Sequence, residues 1–151
     1  MKTIQIQKLE IVNKTKREAI EAIKVLREFV PRNQLNVIVN AMRSEEKQFF
    51  FNKACELADM IKSMPVTYEQ DGKGQKAVAY LHYFRGNMDW YITEKDIGSP
   101  EDARQLQAFG LADMGTGYPE LGYISIVELL ENQIELDMYF TPTELENIKE
   151  R

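Results

Sequence analysis

The spacing of apolar residues changes once along this chain, near Pro65, and this change most constrains the fold. Before Pro65, apolar side chains recur every three or four residues, which is the pattern of one face of an α-helix. After it, several segments alternate between two faces, as β-strands do. A chain of 151 residues with both patterns in succession predicts an α+β fold. We expect a helical N-terminal unit and a small, mainly antiparallel β-sheet with short capped helices.

Three helices are predicted before the change of period. Thr15 and Glu18 form a capping box, in which a hydroxyl and a carboxylate satisfy free backbone N–H groups at a helix start. The first helix is predicted to end at Pro31, because proline disfavours the helical conformation of the residue before it. A second helix is predicted to begin near Asn33 and a third, longer one at Ser44.

The change of period also indicates a division into two parts. Residues 1–65 are expected to form the helical unit, and residues 66–151 the α+β domain. The sequence leaves open whether these are separate domains or one compact domain. Residues 3–11 predict either a short strand or an approach to the first helix.

The clearest feature of the second part is a β-hairpin. Residues 77–84 alternate with both faces largely apolar, which predicts a strand in the middle of a sheet. Residues 89–95 predict the return strand, with Glu94 on the same face as Trp90 and Ile92. A glycine–asparagine pair between the strands supplies a turn, because both residue types tolerate positive φ.

Capping patterns and short apolar runs predict the remaining elements. They are a short helix from Pro100 to about residue 107, a buried strand over 108–112, a helix over 126–131 capped by Ser125 and Glu128, a strand over 134–140, and a C-terminal helix opening at Thr141.

The stretch GLADMGTGYPELGYISIVELL, residues 110–130, is unusually rich in glycine. A dinucleotide-binding loop requires G-x-G-x-x-G between a strand and a helix, and this stretch has neither that spacing nor a lysine. Its loop charges are Asp113 and Glu120, which would repel phosphate. We expect a compact turn in which glycines take positive φ, with Tyr118 and Tyr123 packed on the sheet. The stretch is still the part of the chain most expected to border a site.

His82 and Glu94 are the candidates for catalysis. His82 is the single histidine, the residue type whose ordinary pKa lies nearest neutrality. If Glu94 lies beside it across the hairpin, the pair could transfer protons. The competing interpretation is a half-buried strand residue held by one hydrogen bond. With a single histidine and a single cysteine, Cys55, a zinc site of such ligands is not expected, and no cofactor is predicted.

Charge is divided unevenly along the chain. Residues 1–62 contain 12 Lys and Arg against 8 Asp and Glu, a net charge of +4, whereas residues 63–151 contain 7 against 16, a net charge of −9. This division indicates either two ordinary solvated surfaces or an acidic C-terminal face that meets a basic partner. Nucleic-acid binding through the basic N-terminal helices is an alternative, although glutamates are interleaved with their cations. No run of about 18 apolar residues occurs, so we expect no membrane span and a cytoplasmic protein.

Several segments of the second part resemble a family of small domains of unknown function found on bacterial plasmids, integrative elements and prophages. The segments are AVAYLHYF, DWYITEKD, FGLADMGTGYPELGYISIVELL and LDMYFTP, within residues 65–142. The residues that carry the likeness are Trp90, Tyr91, Thr93, Glu94, Phe109, Gly110, Leu111, Gly117, Glu120, Leu121, Gly122, Tyr123, Ser125, Glu128, Leu129, Asp137, Phe140 and Pro142. The resemblance implies an accessory role on a mobile element, such as counter-defence or plasmid maintenance.

Three functions therefore stand as hypotheses. The first is a non-enzymatic protein that binds a basic surface of a host or element protein. The second is a small enzyme that uses His82 and Glu94, and the third is nucleic-acid association through the N-terminal helices. The residues predicted to form a binding site are Trp90, Tyr91, Glu94, Asp113, Tyr118, Glu120 and Tyr123.

Overall fold

The structure is a computed structural model that describes residues 12–149. Its helices are α1 (Lys16–Leu26), α2 (Arg32–Ala41), α3 (Lys47–Ser63) and α4 (Ile126–Glu131). Its strands are β1 (Val78–Ala79), β2 (Leu81–Arg85), β3 (Met88–Glu94), β4 (Ala108–Asp113), β5 (Glu120–Ile124), β6 (Glu135–Leu136) and β7 (Thr143–Glu144). The α+β class is confirmed. The element predicted over residues 3–11 lies outside the described residues.

Of the three N-terminal helices, only the first begins at its predicted cap, and it ends at Leu26 rather than at Pro31. The third begins at Lys47 rather than at Ser44. The Thr15 hydroxyl accepts the Glu18 N–H at 3.1 Å, which confirms Thr15 as the N-cap of α1. The second helix begins directly after Pro31. Asn33 is therefore inside the helix, and its N–H donates to the Gln133 side chain at 3.0 Å.

Five strands form an antiparallel sheet in the order β5-β4-β3-β2-β6. Arg85 lies opposite Met88, so the predicted hairpin is confirmed with a two-residue turn in which Gly86 has φ +57°. The predicted strand over 77–84 divides at Tyr80, because β1 leaves the main sheet and pairs with β7 in a separate two-stranded sheet. β2 has a neighbour on each side, as expected of a strand in the middle of a sheet.

One face of the five-stranded sheet packs against the helices. Leu81, Tyr83 and Trp90 join the buried residues of α1, α2 and α3 in one hydrophobic cluster. The Tyr83 hydroxyl donates to the Phe29 carbonyl at 2.5 Å, and burial raises the pKa of Tyr83 well above its usual range. Side chains from both predicted parts of the chain therefore share this core.

The opposite face, which we call the outer face, is partly covered by the small sheet and the C-terminal segment. Ala77, Ala79 and Leu145 pack there against Tyr91 in a second, smaller cluster. The Leu145 N–H donates to the Ala77 carbonyl at 2.9 Å, which fixes the C-terminal segment to β1.

Three predictions in the second part are wrong. No helix forms over 100–107: the Ser99 hydroxyl accepts the Asp102 N–H as a cap would, but Asp102 then binds the N–H and guanidinium of Arg104, and this local turn replaces a helix. The strand predicted over 134–140 is confined to β6. The C-terminal helix is replaced by β7 and a 3₁₀ turn, because pairing with β1 uses the backbone that a helix would need.

A β-bulge in β3 also overturns the predicted position of Glu94. The strand register shifts between Ile92 and Glu94, so that Ile92 lies opposite Gly110 and Glu94 lies opposite Phe109. Phe109 and Gly110 are consecutive and point to opposite faces. Glu94 therefore lies on the outer face, away from Ile92.

The glycine-rich stretch forms β4, the predicted turn, β5 and the predicted capped helix α4. The expectation that Tyr118 packs on the sheet is wrong, because its side chain is exposed. Gly115 and Gly117 take φ of +78° and +83° in the turn. Gly110 permits a close approach of two strands, because a Cβ there would lie 1.9 Å from the Tyr91 carbonyl oxygen. The Ser125 hydroxyl accepts the Glu128 N–H at 3.2 Å and begins α4.

Candidate binding site on the outer face

Cross-strand neighbours form three rows on the outer face of β3, β4 and β5. The rows are, from the hairpin turn onward, Asp89 with Asp113; Tyr91 with Leu111 and Leu121; and Glu94 with Phe109 and Tyr123. Directly opposed side chains of antiparallel strands lie about 5 Å apart on one face. The structure thus brings four of the residues predicted for the site, Tyr91, Glu94, Asp113 and Tyr123, to one face of the sheet.

Two of the cavities along this face border these rows of residues. The larger, of about 730 Å³, is bordered by Asp89, Tyr91 and Asp113 and by the glycine turn. The smaller, of about 360 Å³, lies between the outer face and the loop that follows Pro65. We call it the Glu94 cavity, and its walls include Tyr68, Gln70, Thr93, Glu94, Phe109 and Leu121.

Glu94 is buried at the wall of this cavity, with 3% of its surface exposed. Its Oε1 accepts the Gln70 N–H at 3.1 Å, and its Oε2 lies 2.8 Å from the Thr93 hydroxyl. The same hydroxyl lies 3.1 Å from the Phe109 carbonyl, and its single proton can serve only one acceptor at a time. The Gln70 amide is used elsewhere, since it binds the backbone of Val78 and Thr93.

Tyr68 stands at the rim of the Glu94 cavity and is hydrogen-bonded to Tyr123. The Tyr68 and Tyr123 hydroxyl oxygens are 2.5 Å apart, and this hydrogen bond raises the pKa of Tyr123. Both residues are exposed, at 68% and 56%. Tyr68 has φ +80°, a conformation that costs a bulky residue about 1–3 kcal/mol and concentrates at functional sites. The Tyr123 ring meets Phe109 edge-on, with centroids 5.8 Å apart.

His82 lies in a separate buried cluster. Its Nε2 is 2.7 Å from an Asp89 oxygen and its Nδ1 is 3.2 Å from an Asp137 oxygen. Only the doubly protonated ring can donate to both carboxylates at once. The ring also stacks on Tyr91, with centroids 4.5 Å apart. His82 is thus fully buried and doubly bonded, rather than half-buried with one hydrogen bond, and it ties β2 to β3 and to the segment after β6.

The structure does not bring His82 and Glu94 together. His82 lies opposite Tyr91, and Glu94 is three residues farther along β3. At about 3.3 Å per residue, this offset separates the two positions by about 10 Å along the strand. The two side chains also have different partners. The proton-transfer pair on which the enzyme hypothesis rested is therefore not formed.

The other predicted site residues are dispersed. Trp90 is buried in the core beneath the helices, with 8% of its surface exposed. Tyr118 is 80% exposed at the glycine turn. Glu120 is exposed but lies opposite Ala112, on the helix side of the edge strand. Asp113, by contrast, is one of the four residues on the outer face, and there it accepts the Gly115 N–H at 2.9 Å and so holds the turn.

Sequence reasoning missed several residues that line the Glu94 cavity. Phe109 and Leu121 belong to the segments that carry the family likeness, and this was a usable signal. Tyr68 and Gln70 lie in a polar connector that has no periodicity. Their role depends on how the loop folds back onto the sheet, which no local pattern encodes.

The described residues hold no group of three or more His, Cys, Asp or Glu side chains arranged to bind a metal ion. Within the same range, none of the helices combines the length and apolar character needed to cross a bilayer.

Comparison with known families identifies the chain. A family model described as "Protein of unknown function (DUF2958)" matches residues 52–146. The chain belongs to this family. The DUF2958 region begins inside α3, so it is wider than the resemblance over 65–142 and includes part of the helical unit as well as the Glu94 cavity. No curated protein and no solved structure matches the chain.

Proposed function

We propose that this DUF2958 protein acts without catalysis, by binding a partner protein through a basic surface of that partner. The observation that carries the proposal is a pair of hydrogen-bonded, exposed tyrosines beside an exposed carboxylate, where the loop after Pro65 meets β5. We call Tyr68, Asp71, Leu121 and Tyr123 the tyrosine–carboxylate surface. Tyrosine is favoured at protein interfaces because its ring offers a large apolar area and its hydroxyl a polar contact.

The negative charge of the C-terminal part of the chain favours a basic partner. Between Arg104 and Lys149 the chain has eight Asp and Glu residues and no lysine, arginine or histidine. Asp71 is exposed beside Tyr123, and its negative charge contributes to the raised pKa of that tyrosine. An acidic surface of this kind attracts cationic side chains and repels nucleic acid.

The two edges of the sheet differ in a way that favours the β5 side. At the β6 edge, the Gln34 side chain accepts the Leu136 N–H at 2.9 Å and donates to its carbonyl at 2.8 Å, so α2 covers this edge. Among the strands of residues 12–149, β5 pairs only with β4. Edge strands left open in this way are common sites of protein association.

We further propose that the protein is an accessory factor of a phage or plasmid and that counter-defence is its role. The support for this part is the likeness to domains of mobile elements. In that setting, the basic partner would be a host or element protein.

A capture experiment tests the proposal. The tagged protein is incubated with bacterial lysate at several salt concentrations, and retained proteins are quantified by mass spectrometry. We expect one or more basic proteins to be retained by the wild type and lost with Tyr123→Ala and with Asp71→Lys. The matched controls are Tyr139→Ala, a tyrosine that is exposed elsewhere, and Glu135→Lys, on the far edge strand. Retention that is equal in all five proteins would refute the proposed surface.

A further inference from the structure

We infer that the Glu94 cavity receives one arginine side chain of the partner, whose guanidinium pairs with the Glu94 carboxylate. This inference rests on the proposed function, because it names the group that the tyrosine–carboxylate surface recognises. The buried Glu94 carboxylate lies at the wall of this cavity, which has a volume of about 360 Å³.

Glu94 has hydrogen-bonding capacity left over. An ionised carboxylate offers about four acceptor positions. Within the described residues, Glu94 receives one backbone N–H from Gln70 and a hydroxyl proton that Thr93 shares with a carbonyl. About two positions are therefore left for donors that enter from the cavity, one on each oxygen.

Glu94 also takes part in none of the ion pairs formed among residues 12–149. Its neighbour Lys95 is turned away, and its ammonium group donates to the carbonyls of Ile61 and Lys62 at the end of α3. A buried charge is costly unless it is paired and hydrogen-bonded. A cation supplied by a ligand would complete the pair.

The shape and walls of the cavity favour a guanidinium over an ammonium group. Arginine presents parallel N–H donors that match the two oxygens of one carboxylate, and its flat group stacks on aromatic rings. Phe109 lines the cavity, and Tyr68 stands at the rim. Leu121, which is 42% exposed, can pack against the aliphatic part of the entering side chain. Cavities of about 300 Å³ and above accommodate groups of this size.

Peptide titrations followed by NMR test the inference. The probes are Gly-Ser peptides of one length with arginine, lysine or citrulline at the centre, and citrulline is the uncharged near-isostere of arginine. The reporter is the backbone amide of Gln70, since its N–H donates to Glu94. We expect the arginine peptide to shift this amide, the lysine peptide to bind more weakly, and citrulline to lower the affinity by at least about 30-fold, as loss of a buried charge pair does.

Two variants keep the test decisive. Glu94→Gln removes the charge at nearly constant shape, and Leu121→Trp narrows the cavity from its exposed rim without touching Glu94. Both should lower the affinity for the arginine peptide by at least about 30-fold, while Glu135→Gln should leave it unchanged. Absence of arginine binding, equal binding of citrulline, or unaltered binding in both variants would overturn the inference.

Retention of captured partners by the variants distinguishes a wrong arginine pair from a wrong binding surface. If a captured partner is still retained by Glu94→Gln and by Leu121→Trp but lost with Tyr123→Ala, the surface binds without an arginine in the cavity. If Tyr123→Ala also retains every partner, the proposed function itself is wrong.

Discussion

Replacement of Gly110 by alanine should strongly destabilise the protein. The Cβ of alanine would lie 1.9 Å from the Tyr91 carbonyl oxygen, and the atom it meets is backbone, which has no rotamer to escape into. Carbon–oxygen contacts between strands are normally about 3.3 Å or more, so β3 and β4 must separate locally by about 1.4 Å. Such a shift is large against a strand spacing of about 4.8 Å.

The expected cost follows from that displacement. Overpacking of this kind costs about 1–3 kcal/mol, and weakening one or two neighbouring ladder hydrogen bonds costs about 1 kcal/mol each. The lower entropy of the unfolded alanine chain offsets at most about 1 kcal/mol. We therefore expect Gly110→Ala to lower the free energy of unfolding by about 3 kcal/mol, which corresponds to a fall in Tm of about 6–12 °C for a chain of this length.

Gly122→Ala is the matched control. Gly122 lies directly opposite Gly110 in the β4–β5 ladder, and a Cβ there meets no heavy atom within 4 Å. The control should change stability by less than about 1 kcal/mol in either direction. Urea unfolding, followed by the fluorescence of the single tryptophan, Trp90, measures both variants. Equal stability of the two variants would refute the close approach of β3 and β4 at Gly110.

Further predictions concern three other side chains. Tyr83→Phe should cost about 1–2 kcal/mol, because the Phe29 carbonyl loses its buried donor. Since burial raises the pKa of Tyr83, the stability that this group contributes is complete below pH of about 10 and is lost above it, so the phenylalanine variant should lose less stability as the pH rises. Tyr68→Phe should return the pKa of Tyr123 towards its ordinary value, measurable by absorbance titration at alkaline pH. Cys55 is buried and its pKa is raised by that burial, so it should react with a thiol reagent far more slowly in the native protein than in urea.

Local sequence rules predicted those elements that local interactions determine. Ser125 and Glu128 begin α4 because a hydroxyl and a backbone N–H three residues apart suffice for a cap. The same rule failed at Ser99. The cap forms there, but Asp102 then binds Arg104 in a local turn and no helix follows. A capping pattern therefore locates a turn reliably, whereas helix propagation depends on packing.

The candidate site could be predicted only in part, because strand pairing and the fold of a loop position some of its residues. The family likeness pointed to Glu94 and Tyr123, and both lie on the outer face. Strict alternation predicted that Glu94 lies on the helix side of the sheet, which is wrong. The β-bulge that moves it depends on the pairing of β3 with β4, and the sequence of β3 alone does not reveal it. Tyr68 was missed because its place at the rim depends on a left-handed backbone conformation in a connector.

The proposed pair of Glu94 with an arginine of the partner can be measured as a coupling between the two groups. The measurement is a double-mutant cycle, with Glu94→Gln on this chain and arginine-to-citrulline on the bound peptide. If the pair forms, each change alone weakens binding, the second adds little once the first is made, and the coupling energy is at least about 2 kcal/mol. A coupling energy near zero, with the two losses simply adding, would contradict the proposed pair.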